Sequence, residues 1–167
     1  KWGVGSYPVA IKDGALEVTS KPGQNVYLGL KETVELKKKT AVEFDITVNG
    51  DTATDFEAGI MLKSGATTVV NVAARKGRLL AQYDNVPNVT IENGKTYKIM
   101  IVTDPATKTI DIYVDGVKAA TGKKFLNSAT SWDSAQLMIK GNTGSADLTA
   151  IFDNFKIAPY KEPVVEE

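Results

Sequence analysis

The apolar residues of this chain alternate with polar ones instead of recurring at helical spacing, and that pattern restricts it to β-structure. In Val42-Glu43-Phe44-Asp45-Ile46-Thr47-Val48 the even positions are apolar and the odd ones polar, as a pleated strand with one buried face requires. Similar runs predict strands near 15–19, 26–30, 41–48, 56–63, 68–75, 78–83, 96–103, 109–114, 135–140 and 149–157. Between them stand Asn49-Gly50, Lys76-Gly77, Asn93-Gly94, Asp104-Pro105, Asp115-Gly116 and Gly141-Asn142, residue types that supply the positive or fixed φ of tight turns. So many short strands at regular spacing predict an all-β, antiparallel two-sheet β-sandwich or jelly roll. A short helix has room only inside 124–132. Residues 1–158 read as a single module and 159–167, where the alternation lapses, as a linker or tail.

Composition removes whole classes of function. The 167 residues include 20 Lys plus Arg and 20 Asp plus Glu, a net charge of zero. A nucleic-acid binder needs a basic excess to displace counterions, so no nucleic-acid partner is expected. The chain has no Cys and no His, which rules out thiolate chemistry, imidazole metal sites and Ser-His-Asp catalysis. No apolar run approaches the ~20 residues of a membrane span, so no membrane insertion is expected. The chain opens on Lys1-Trp2-Gly3-Val4 without a signal peptide and reads as a module cut from a longer protein.

Splitting each strand into its two faces locates a candidate binding surface. In 56–63 the residues Phe56, Ala58, Ile60 and Leu62 form an apolar set, leaving Glu57, Gly59, Met61 and Lys63 on the other face. A hairpin about Lys76-Gly77 sets Arg75 opposite Arg78 and Asn71 opposite Gln82. Its core face is then Val70, Val72, Ala74, Leu79, Ala81 and Tyr83. Strand 135–140 turns Gln136, Met138 and Lys140 outward. The proposed ligand-binding set is Asn71, Arg75, Arg78 and Gln82, with Glu57, Lys63 and Lys140 beside them and Trp132 at the rim. Amides suit a sugar because each both donates and accepts, as hydroxyls do. Arg75 and Arg78 are the only arginines, and their planar forks suit vicinal hydroxyls or carboxylates. Asp55 or Glu57 is the alternative partner for them, which would make the cluster structural. Trp132, in the polar loop 127–134, either plugs the sandwich end or stands exposed as a stacking platform. Trp2, Tyr97 and Phe152 are assigned to the core, with Tyr7 and Tyr27 undecided.

Glu43 and Asp45 share one strand face and are the single catalytic-looking pair, although such a pair on a sandwich strand is more often an exposed polar face. The stretches Thr96-Tyr97-Lys98-Ile99-Met100-Ile101-Val102-Thr103-Asp104, Ile110-Asp111-Ile112-Tyr113-Val114-Asp115-Gly116-Val117 and Ala150-Ile151-Phe152-Asp153-Asn154-Phe155-Lys156-Ile157, with Ile11-Lys12-Asp13-Gly14-Ala15-Leu16-Glu17-Val18, resemble the concanavalin A-like lectin and laminin-G superfamily. Within it they are similar to family 66-type carbohydrate-binding modules of secreted bacterial polysaccharide-degrading enzymes. The resemblance implies a jelly roll and a non-catalytic module, secreted or on the cell surface, tethered to a catalytic domain. Its ligand would be a polysaccharide or oligosaccharide, of the plant cell wall or of microbes. Glucanases of that fold carry Glu-x-Asp-x-x-Glu, and Val48 stands here where the last Glu belongs; the chain is therefore read as no enzyme. The resemblance also implies a structural Ca²⁺ held through Asp153, with a turn cap or a Lys pair as that residue's other reading. A protein-interaction or spacer domain is the competing function, and a glucanase with an unusual residue set the third.

Overall fold

Every strand expected from the alternation forms, and the strands it did not predict are the sheet edges. The computed structural model describes residues 2–3, 9–30, 38–50 and 55–163, with side chains from residue 9 onward. In chain order the strands are β1 (Trp2–Gly3), β2 (Val9–Lys12), β3 (Ala15–Ser20), β4 (Val26–Leu30), β5 (Thr40–Asn49), β6 (Glu57–Ser64) and β7 (Thr67–Arg75). There follow β8 (Arg78–Ala81), β9 (Asp84–Thr90), β10 (Thr96–Asp104), β11 (Thr109–Val114), β12 (Val117–Lys124), β13 (Ser134–Lys140) and β14 (Leu148–Pro159). One sheet runs β1-β4-β13-β6-β7-β8-β9 and the other β12-β11-β10-β5-β14-β3-β2. The fold is an antiparallel jelly-roll sandwich. The helix allowed inside 124–132 shrinks to one 3₁₀ turn, Leu126–Ser128, in which Asn127 has φ 57° and so cannot propagate a helix.

Turn chemistry sets the registers. Arg75 pairs with Arg78 across Lys76-Gly77, and Val114 with Val117 across Asp115-Gly116. Both central residues of each turn have positive φ, as the two-residue hairpin turns that match strand twist demand. The β8–β9 hairpin is built the same way on Gln82-Tyr83, with φ 55° and 67° and Ala81 paired to Asp84. Strand alternation therefore stops at Ala81. Tyr83, expected in the core, is half exposed, because the hairpin corner carries its side chain off the inner face.

The core lies between the sheets, with Phe56, Ala58, Ile60 and Leu62 facing Phe44, Ile46, Ile99, Ile101 and Phe152. Tyr97 and Phe152 are buried as expected, while the Trp2 side chain and Tyr7 lie outside the described residues. Trp132 is 1% exposed. Its indole N–H donates to Thr103 Oγ1 at 3.1 Å, and Thr103 is itself fully buried. It plugs the sandwich, and its place at the rim of a binding face is withdrawn. The boundary expected after residue 158 falls within the end of β14. Beyond it, Tyr160 N–H donates to Lys39 O at 3.0 Å and Lys39 Nζ reaches Glu162 at 3.0 Å.

Candidate functional site

Strand pairing lays a row of charge across the outer face of the first sheet. Lys140 on β13 pairs with Glu57 on β6. Arg75 on β7 reaches Glu57 Oε1 with Nη1 at 3.6 Å and pairs with Arg78 on β8. Asp55, just before β6, receives a fork from Arg75, with Nε at 2.8 Å and Nη2 at 3.1 Å. Lys76 Nζ lies 3.7 Å from the same carboxylate. Of the two readings of the arginines, Arg75 therefore takes the structural one. Arg78 is exposed, and its side chain has no hydrogen bond or ion pair among the described residues.

The sheet face is open at this row and closed further along it. The next row is Met138, Gly59, Ala73 and Leu80, all buried. The row after that holds Met61 and Asn71 with Gln82 at its end, and Asn71 is fully buried with neither side-chain polar atom partnered. Gln82 is spent on structure. Its Oε1 accepts from Asn71 N–H at 2.9 Å, and its Nε2 donates to Val69 O at 3.2 Å and to Lys124 O at 2.8 Å. Lys63 stands six positions along β6 from Glu57, about 20 Å at strand rise. The structure thus brings together Glu57, Arg75, Arg78 and Lys140, and sets Asn71, Gln82, Lys63 and Trp132 apart from them.

Two adjoining hollows share Arg75. The first, of ≈ 330 Å³, is lined by Asn25, Asp55, Glu57, Arg75, Lys140 and Thr143 among others. Glu57 is nearly buried there. Lys140 Nζ is 3.2 Å from Glu57 Oε2, yet that oxygen accepts no hydrogen bond of acceptable geometry. The contact is an ion pair within the charged row. The second hollow, of ≈ 390 Å³, is lined by Arg75, Lys76, Arg78, Leu80, Tyr83 and Asn85. Lys140 Nζ sits 5.7 Å from the centre of the Tyr83 ring, within cation–π range. Tyr83 therefore belongs to both the charged row and the second hollow. No sequence signal marked it, since Gln82-Tyr83 lacks the Asn-Gly or Asp-Gly signature of its turn.

The Arg75 fork holds the Asp55 carboxyl below its ordinary value of 3.8, and Asp55 raises Arg75 in return. A carboxyl depressed in the folded state stabilises fully above its unfolded pKa and loses that contribution as pH falls through the folded one. Asp55→Asn is accordingly expected to melt below the parent near neutral pH and to converge with it below about pH 4. A thermal melt series across pH 2–7 reads this directly. A gap that persists unchanged at the acid end would contradict the linkage.

The second sheet carries the remaining candidates. Glu43 and Asp45 are half-buried on its outer face, across the sandwich from the charged row. Asp153 pairs with Asp45. Its Oδ1 accepts Asn154 N–H at 2.7 Å, and Asn154 Nδ2 donates to Asp45 Oδ2 at 2.7 Å. Asp45 Oδ1 is buried without a partner, the one local hint of a missing donor or cation. Two carboxylates fall short of the ~6–8 oxygens Ca²⁺ takes, and no group of three or more acidic residues able to hold a metal occurs among the described residues.

No family model matches the sequence, and no curated protein matches it. Its likeness is to solved structures, and that likeness shows a fold, the jelly-roll sandwich. A sialidase superposes with TM-score 0.77 and 15% identity over 95% of this chain, which spans only 17% of the sialidase. An alginate lyase of polysaccharide lyase family 7 gives 0.63 and 13%, covering 92% of this chain and 82% of the lyase. A cellulose-induced protein gives 0.63 and 14%, covering 92% and 91%.

Proposed function

We propose that the chain is a non-catalytic carbohydrate-binding module whose ligand rests in the hollow between Glu57, Arg75 and Lys140, with the Tyr83 ring beside it. The observation that carries this reading is the open hollow lined by Glu57, Arg75 and Lys140, charged groups that paired strands hold side by side. Lys140 and Glu57 keep 27% and 12% of their side chains open, and a charged group makes the stronger hydrogen bond to a sugar hydroxyl. The surrounding strands hold these groups at constant spacing, which a binding site needs more than an exposed loop can give. Names among the similar structures, two of them a sialidase and an alginate lyase, support a carbohydrate ligand. In this reading the module sits in a secreted or surface protein and brings a tethered catalytic domain to polysaccharide.

The absence of His and the place of Val48 favour binding over cleavage. Affinity electrophoresis against plant and microbial polysaccharides tests the reading, with reaction products assayed in parallel. Retardation by at least one polysaccharide without cleavage is expected, weakened at least tenfold by Glu57→Gln. A hydrogen bond to a charged group is worth ~1.5–3 kcal/mol and ~1.4 kcal/mol is tenfold in affinity. Cleavage products would make the chain an enzyme. Retardation by none would return it to a protein-binding or spacer role.

A further inference from the structure

The second hollow differs from the first in charge. Asp55 and Glu57 line the first hollow beside Arg75 and Lys140, whereas the second is lined by Arg75, Lys76 and Arg78 with no carboxylate. Asp55 is engaged by Arg75 and Lys76, and Glu57 by Arg75 and Lys140. Four cations therefore meet two carboxylates, an excess of positive charge, and of the four only the Arg78 side chain has no ion-pair partner among the described residues. Arg78 also sits directly opposite Arg75 across the strand pair, where like charges repel. The first guanidinium is relieved by the Asp55 fork. Nothing relieves the second.

The rest of the hollow mixes aromatic, apolar and amide groups. Tyr83 offers a half-exposed aromatic face, Leu80 supplies apolar floor, and the exposed Asn85 amide both donates and accepts. A guanidinium with a free fork binds a carboxylate through two parallel hydrogen bonds, a geometry no neutral hydroxyl pair matches in strength. We propose that the second hollow takes a carboxylate-bearing sugar, so that the ligand is an acidic oligosaccharide with its carboxylate on Arg78 and a neighbouring unit's hydroxyls on Glu57. This rests on the carbohydrate-binding reading above and narrows its ligand class.

The test uses matched pairs of ligands on the whole chain. Oligogalacturonates, oligoalginates and sialylated oligosaccharides are each titrated calorimetrically beside the same molecule with its carboxyl groups reduced to alcohols. At least one acidic form is expected to bind tenfold or more tighter than its reduced partner, with the advantage shrinking as salt is raised. Arg78→Ala should abolish that advantage, bringing the acidic form to within about twofold of its reduced partner, and Arg78→Lys should restore part of it. Because Arg78 is exposed, an unchanged thermal melt is expected for both variants. Equal binding of acidic and reduced forms, or an acid preference that survives Arg78→Ala, overturns the inference while leaving a neutral-sugar module standing. Binding of neither form overturns the carbohydrate reading, and the inference with it.

Discussion

Trp132→Ala is expected to lower the melting temperature by about 6–20 °C. Truncating a large buried aromatic typically costs ~3–5 kcal/mol, the lost transfer energy plus the cavity left behind. For a chain of this size each kcal/mol moves the midpoint by about 2–4 °C. Trp132 is 1% exposed within the main core, and its indole holds the Thr103 hydroxyl, which itself donates to Thr40 O at 3.4 Å. Trp132→Phe keeps most of the volume but loses that hydrogen bond, so its melt should fall between the two. The native fraction of Trp132→Ala should bind ligand as the parent does, since the indole lies away from both hollows. A Trp132→Ala protein that melts like the parent but fails to bind would put the indole back at the binding face.

Tyr83→Ala is the substitution expected to damage ligand binding most. Half of the ring is exposed, and a tyrosine presents ~150–250 Å² in all. A sugar covering what remains open would bury about 100 Å², up to about 2.5 kcal/mol at ~25 cal/mol per Å². A loss of tenfold or more in affinity follows, with little change in melting temperature. Tyr83→Gly separates the two roles of the position. Glycine suits the positive φ of 67°, so this variant should melt slightly above the parent while binding as poorly as Tyr83→Ala. Titration calorimetry and a melt on the same samples check both variants. Affinity within twofold of the parent would remove Tyr83 from the site.

The central strands β5 and β10 were legible because they are buried on one face and wetter on the other, which forces alternation. Edge strands lack that pressure. β2 is mostly exposed, β9 contains Pro87 and β12 contains Gly122, features that edges tolerate and that erase the pattern. The same logic explains the partial success with the site. Period-two reasoning put Glu57, Arg75 and Lys140 on one face, and the Lys76-Gly77 turn fixed Arg78 beside them. That reasoning could not show that the face closes over Asn71, nor that Gln82 bends back to the backbone. It misplaced Tyr83 by carrying the alternation two residues past the strand's end. Trp132 was ambiguous in a polar loop, since its burial depends on Thr103, 29 residues away in sequence.

The Gln82 amide does more than cap a hairpin. Two of its three hydrogen bonds stay within the first sheet, to Asn71 and Val69, and the third crosses to Lys124 on the edge of the other. Separating the sheets at this margin and peeling away β8–β9 are thus coupled, because both motions break the bond to Lys124. An outlying hairpin would ordinarily fray before the core loosens. Here Arg78 and Tyr83 ride on a seam, and the surface offered to a ligand inherits the stiffness of the sandwich interior.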